Sequence, residues 1–344
     1  RAEIPAHDLL HRARRRPARD SVLPVGQGIS ARHRWRGSHR RAGQPPDRQG
    51  AGVARAAGRA AAVDLDRADA GDLRDAAGAV VRLAGRRLLL TGASRGIGAA
   101  LADAFAARGA ELLLVARPSE LLEAVAARTG GTALPYDLTE LDALPGLVER
   151  AGTVDVLVNN AGVSGVGWFV DRTMAEIDQV LTVNLLAPVH LCRLVLPGML
   201  ERGRGQVVNL SSMAGVFAPP GLTAYGASKA GLSHFTAGLR ADLRDDPITF
   251  TTVTLASVST DMDDEARSYG PLRAMAEGSK GRDLTPMQTL VSAVVDAVER
   301  DRPEVRVPTA MAPLAAMTNA PRKAGRLLFR RVPAKEPRTD VPIT

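Results

Sequence analysis

From Arg86 onward the chain alternates short apolar runs with longer stretches whose apolar positions recur every third or fourth residue. The first pattern suits strands buried on both faces, and the second suits helices that cover a sheet. Together they predict strands over 86–91, 111–116, 132–136, 154–159, 205–210, 248–255 and 303–307. Helices are predicted near 97–108, 118–129, 139–151, 173–202, 222–245 and 285–300. Strands that alternate with helices imply crossover connections and a parallel sheet. Right-handed crossovers then give an α/β fold with a doubly wound, seven-stranded parallel sheet and a ligand crevice at the strand C-termini.

The text before this region is different. Residues 1–84 are rich in Arg, Ala, Gly and Pro and lack a sustained period, apart from an Ala-rich helical stretch between Ala51 and Leu83. The chain therefore divides into a 1–84 extension, a single domain over 85–308 and a 309–344 tail. Three readings fit the extension: a disordered basic arm, text from upstream of the true start, or an arm for nucleic acid or membrane. The net charge of +8 lies wholly within it, since residues 1–84 hold 17 Arg, no Lys and 9 acidic residues, and the remainder holds 28 charges of each sign. A pI of 10.4 would ordinarily suggest a nucleic-acid partner. Here the folded region is neutral, and an Arg-only arm with Trp35 as its aromatic argues against nucleic acid.

The tail is apolar from Val307-Pro308 to Leu328, is broken by Pro313 and Pro321, and carries Arg322, Lys323, Arg326, Arg330 and Arg331. Such a segment suits peripheral membrane contact, a seal over a pocket, or packing on the domain or a second subunit. Cys192, the sole cysteine, excludes an internal disulfide and reads as core packing. A reducing, cytoplasmic compartment is expected, because no apolar run of about eighteen residues and no signal peptide is apparent.

Two motifs carry chemistry. The predicted first strand enters Thr91-Gly92-Ala93-Ser94-Arg95-Gly96-Ile97-Gly98 and then an Ala-rich helix. Exposed amides and the helix dipole at such a turn hold a pyrophosphate, which makes Gly92, Ser94, Arg95, Gly96, Ile97 and Gly98 candidate cofactor-binding residues. Arg117 ends the second strand, where an acidic residue would bind the ribose hydroxyls of NAD. A cation there, with Arg95 as a second, suits a 2′-phosphate and favours NADP(H) over NAD(H). The other motif is Tyr225 with Lys229 in Ala224-Tyr225-Gly226-Ala227-Ser228-Lys229. Four residues apart on a helix they share a face, and the ammonium is expected to lower the phenol pKa for proton transfer at neutral pH.

With these motifs in order, residues 85 to about 308 resemble a short-chain dehydrogenase/reductase of the soluble kind, with TGxxxGxG and YxxxK signatures. The resemblance implies a Rossmann fold and a homodimer or homotetramer. It also implies that Asp137-Leu138 borders the adenine, that Asn159-Asn160-Ala161-Gly162 stabilises the sheet beside the cofactor, and that Thr260 contacts the carboxamide or phosphates. Ser212, thirteen residues before Tyr225, is implied to bind the substrate oxygen. Tyr225 would move the proton, Lys229 would hold the nicotinamide ribose, and Asn184 would hold a relay water. Two alternatives stay open: Ser211 in place of Ser212, and Asn184 as a helix-bending residue. Where the family usually carries Pro-Gly after the sixth strand, this chain has Ala256-Ser257.

Val166, Trp168, Phe169, Met213, Phe217, Pro219, Pro220, Met262 and Tyr269 are expected to line the substrate side, which suits a small lipophilic carbonyl or alcohol. The polar segment 261–282 is a candidate lid. His190 and His234 read as structural, and no Cys, His or carboxylate spacing suggests a metal. The reading is thus an NADP(H)-linked oxidoreductase. The contrasting one is a non-catalytic dinucleotide sensor, or a nucleic-acid-associated protein working through its basic arm.

Overall fold

The run Leu88-Leu89-Leu90 forms the centre of β1 (Arg87–Thr91), and all three side chains are fully buried, Leu88 and Leu90 on one face of a sheet and Leu89 on the other. This two-sided burial explains why the strand has no polar alternation. The computed structural model describes residues 82–278 and 285–309. After β1 come α1 (Gly96–Ala106), β2 (Glu111–Ala116), α2 (Glu120–Thr129), β3 (Thr132–Pro135), α3 (Leu144–Ala151) and β4 (Val156–Asn159). The second half holds α4 (Met174–Leu181), a π-helical turn (Thr182–Leu186), α5 (Ala187–Glu201), β5 (Gly205–Ser212), α6 (Thr223–Asp242) and β6 (Ile248–Leu255). It ends with α7 (Asp261–Ser268), α8 (Gly270–Gly278), α9 (Met287–Glu299) and β7 (Glu304–Val307).

The seven strands are parallel in the order β3-β2-β1-β4-β5-β6-β7. The order reverses direction between β1 and β4, which opens a crevice at their C-terminal ends. One face buries Leu101, Phe105, Leu122, Leu290 and Val294 from α1, α2 and α9. The other buries Leu144, Leu147, Leu191, Val195 and Met199 from α3 and α5. Cys192 lies in this second core as expected, and burial pushes its thiol up to about 12.

Three expectations are corrected. The helix predicted over 173–202 is divided: at the π-helical turn Ala187 N–H bonds back to Thr182, and Pro188 opens α5 where its missing N–H costs nothing. The stretch Met174–Glu201 is 28 residues with a window hydropathy of 1.6, long and apolar enough to cross a membrane by that measure. Half of that window is buried inside the protein, so its apolarity serves the core. β5 continues two residues beyond prediction because Ser211 and Ser212 pair in register with Thr254 and Leu255. The segment read only as a lid contains two helices, α7 being started by the Thr260 hydroxyl accepting from Asp263 N–H. Its residues 279–282, the extension before residue 82 and the tail from residue 310 lie outside the described residues.

Candidate active site

The glycine turn is set by backbone crowding. A Cβ at Gly98 would fall 2.0 Å from the Gly92 carbonyl oxygen and 2.7 Å from Asn160 Nδ2, and Gly92 itself has φ +68°. The chain folds this tightly because β4 is bonded to it. Asn160 Nδ2 donates to the Thr91 and Gly92 carbonyls at 2.9 and 3.2 Å, while Thr91 Oγ1 accepts from the amides of Asn160 and Ala161, both at 3.1 Å. Arg95 is the N-cap of α1 and offers no side-chain acceptor to its first amides. Unmatched amides at a helix start are what an anion needs.

A cleft of about 660 Å³ opens here. It is lined by Gly92, Ser94, Arg95, Gly96, Ile97, Gly98, Arg117, Asp137, Leu138, Asn160, Ala161, Gly162 and Thr260, which gathers every cofactor-binding candidate except Tyr225 and Lys229. Its size, its glycine floor and its two arginines fit a dinucleotide. Arg95 carries a feature absent from the expectation: its Nη1 donates to Asp261 Oδ2 at 2.5 Å.

The residues expected to move the proton form a second cluster. Tyr225 lies in the first turn of α6, Lys229 lies one turn later, and Ser212 ends β5. The Ser212 hydroxyl lies near enough to the Tyr225 phenol to act on its pKa, and it accepts from Ala214 N–H at 3.1 Å. Ser211 projects to the opposite side of the strand. Its hydroxyl donates to the Lys229 carbonyl at 2.9 Å and lies 2.6 Å from Ser233 Oγ. Ser211 therefore anchors α6, and Ser212 is the serine beside the phenol.

The expected charge balance changes. Burial pushes the Tyr225 phenol above its usual range, with Ser212 acting in the opposite direction. Burial also pushes Lys229 down to about 8. Its Nζ donates to the Leu210 carbonyl at 2.9 Å and lies 5.9 Å from the Tyr225 ring centroid. Desolvation thus outweighs the expected lowering of the phenol by the ammonium.

Asn184 is fully buried in the π-helical turn. Its Oδ1 accepts from Val163 N–H at 2.9 Å, and its Nδ2 donates to the Val163 carbonyl at 2.9 Å and to Ser228 Oγ at 3.1 Å. The side chain fixes the loop after β4 to the helices, and its bonds are already made within the protein. Ser228 in turn donates to the Tyr225 carbonyl at 2.6 Å. Gly162 joins the two clusters: a Cβ there would lie 3.3 Å from Asn184 Oδ1 and 3.6 Å from Lys229 Nζ.

Sequence reading expected Asn159 only within the sheet-stabilising run, and missed Asn209 and Thr236, through which it holds α6 in place. Asn159 Nδ2 donates to Asn209 Oδ1, and Asn209 Nδ2 donates to Thr236 Oγ1, both at 2.8 Å. Polar side chains in otherwise apolar strands were the available signal. The Ala256-Ser257 departure also has a local reason, since Ala256 N–H donates to Val307 of β7 at 2.9 Å, a bond that proline cannot make.

On the substrate side, Gly167 N–H donates to the Gly221 carbonyl at 2.9 Å, and the Tyr269 ring packs against Gly221. Trp168, Phe169 and Phe217 are exposed, whereas Val166 and Met213 are buried in the fold.

The sequence profile of the short chain dehydrogenase family matches residues 86–269. A ketoacyl reductase from Nostoc sp. is 36% identical over 235 residues, which span 65% of this chain and 79% of that protein. A fatty acyl-CoA reductase from Mycobacterium tuberculosis is 39% identical over 213 residues, covering 57% of this chain and 70% of that protein. Among solved structures, a short-chain dehydrogenase from Sphingobium yanoikuyae in complex with NADPH is 30% identical, covers 74% of this chain and 99% of that one, and superposes with a TM-score of 0.60.

Proposed function

The chain belongs to the short-chain dehydrogenase family of oxidoreductases, and from that premise we propose that it is NADP(H)-dependent and interconverts a lipophilic carbonyl and its secondary alcohol. The observation that carries this reading is the grouping of Ser212 and Tyr225 beside Lys229, joined through Gly162 to the dinucleotide-sized cleft. A bound nicotinamide dinucleotide would supply or accept the hydride. Ser212 holds the substrate oxygen, and Tyr225 gives that oxygen its proton in reduction or removes it in oxidation. Lys229 stabilises the phenolate when it forms and is positioned by the Leu210 carbonyl.

Preference for NADP(H) is supported by Arg95 and Arg117 on the cleft wall, by the absence of an acid at the position directly after β2, and by the NADPH in the Sphingobium neighbour. A lipophilic substrate is supported by the exposed Trp168, Phe169 and Phe217, and by the ketoacyl and fatty acyl-CoA substrates named for two relatives. The test is oxidation of NADPH against NADH by the purified chain over a panel of lipophilic ketones and aldehydes. Turnover should favour NADPH and fall by about 10²–10⁴ in Tyr225→Phe, the range for loss of a general acid. Undiminished turnover in Tyr225→Phe would overturn the assignment, and tight cofactor binding without turnover on the panel would favour a sensor.

A further inference from the structure

Asp261, the first residue of α7, lines the same cleft as Arg95. Their ion pair at 2.5 Å joins positions 166 apart in the chain. The residue before it, Thr260, faces the glycine turn, since a Cβ built on Gly96 would lie 3.5 Å from the threonine methyl. The start of α7 therefore sits on the turn that is shaped for phosphate. Its first turn carries Asp261, Asp263 and Asp264, a pattern the helix dipole favours. Asp263 is paired with Arg267 along the helix, and Asp261 is the carboxylate that reaches across to Arg95.

Arg95 thus has two claimants. Of the guanidinium's five N–H donors, Asp261 engages one on Nη1, so the carboxylate orients the group and offsets its charge. An anionic group entering the cleft meets the cation together with its counter-charge, and gains the whole of that cation only by displacing the carboxylate. We propose that Asp261 is a specificity-determining counter-ion, which competes with the cofactor's ribose 2′-phosphate for Arg95 and so tunes discrimination between NADP(H) and NAD(H). This rests on the NADP(H) reading above. Asp261 is a positioning residue in this scheme, acting only through Arg95. Both partners are largely solvent-exposed, at 63% and 71%, so the pair is weak and a phosphate dianion displaces it. The effect is a graded reduction of affinity for the phosphorylated cofactor.

The test uses the full chain and direct titration of NADPH and NADH by cofactor fluorescence, with thermal unfolding to verify each variant's fold. Asp261→Asn should bind NADPH about two- to fivefold more tightly, the range set by a surface ion pair, with little change for NADH. Asp264→Asn removes a charge from the same helical turn and should leave the ratio of the two dissociation constants unchanged. In an Arg95→Ala background, Asp261→Asn should have no effect on that ratio. Equal tightening of both cofactors, an equal response to Asp264→Asn, or persistence without Arg95 would each overturn the proposal, as would an unmoved ratio. The cofactor reading fails separately, if the wild-type chain binds NADH at least as tightly as NADPH. The shift caused by Asp261→Asn is still read against that baseline.

Discussion

Replacing Lys229 with methionine should abolish turnover and stabilise the fold at neutral pH. Lys229 is 4% exposed, and burial holds its ammonium down to about 8 from an ordinary 10.5. Between those two values the unfolded chain binds more protons than the folded one, so this group makes stability rise with pH there. At pH 7 both states carry the proton and the full cost is present, about 3 kcal/mol at 1.36 kcal/mol per unit. Methionine removes that cost, fills similar volume and leaves the Leu210 carbonyl without its donor, a loss of about 1 kcal/mol. A net gain of about 2 kcal/mol is therefore expected near pH 7, shrinking as pH rises toward 10. Urea unfolding of both proteins, at intervals from about pH 6 to pH 10, measures this directly. Tyr225 is common to both, so its own titration cancels in the difference to first order. A stability difference that stays constant from about pH 7 to pH 10 would refute the reasoning, whatever its sign.

Two further outcomes follow from packing. Gly98→Ala drives a methyl to within 2.0 Å of the Gly92 carbonyl, where yielding would break the Asn160 bonds to the same turn. It should destabilise by about 1–3 kcal/mol and eliminate the rise in melting temperature caused by added NADPH. Cys192, fully buried and with its thiol pushed up to about 12, should resist a thiol reagent at about pH 8 in the native protein and react promptly in denaturant. Rapid native labelling would show that α5 opens more readily than its packing implies.

The strands were legible because burial on both faces leaves uninterrupted apolar text, as in Leu112-Leu113-Leu114-Val115 of β2. The glycine turn was legible because backbone crowding excludes every other residue at Gly98. The division at 182–186 was harder to see, since Asn184 and Pro188 fit an amphipathic helix and their consequence depends on Val163, 21 residues away. Asp261 was hidden for a related reason. A surface carboxylate at a helix start has an adequate local explanation, and only the fold brings it to Arg95, 166 positions earlier. Contacts made by recurrent local spacing could be read, and those made by single distant partners could not.

The site's charges show the same dependence on the assembled fold. As isolated groups, a tyrosine and a lysine four residues apart suggest a phenol made more acidic by its neighbour. Once β5 and α6 enclose them, desolvation acts on both: it favours neutral Tyr225 and weakens the hold of Lys229 on its proton. A buried phenol that keeps its proton at neutral pH begins as an acid, which is the form required to protonate a carbonyl oxygen as hydride arrives. Oxidation of an alcohol must begin from the phenolate, and the fold alone opposes that state. Burial therefore holds the phenol in its neutral form. The Ser212 hydroxyl acts in the opposite direction and partly offsets this effect, so under the proposed mechanism it would tune the proton donor as well as hold the substrate oxygen.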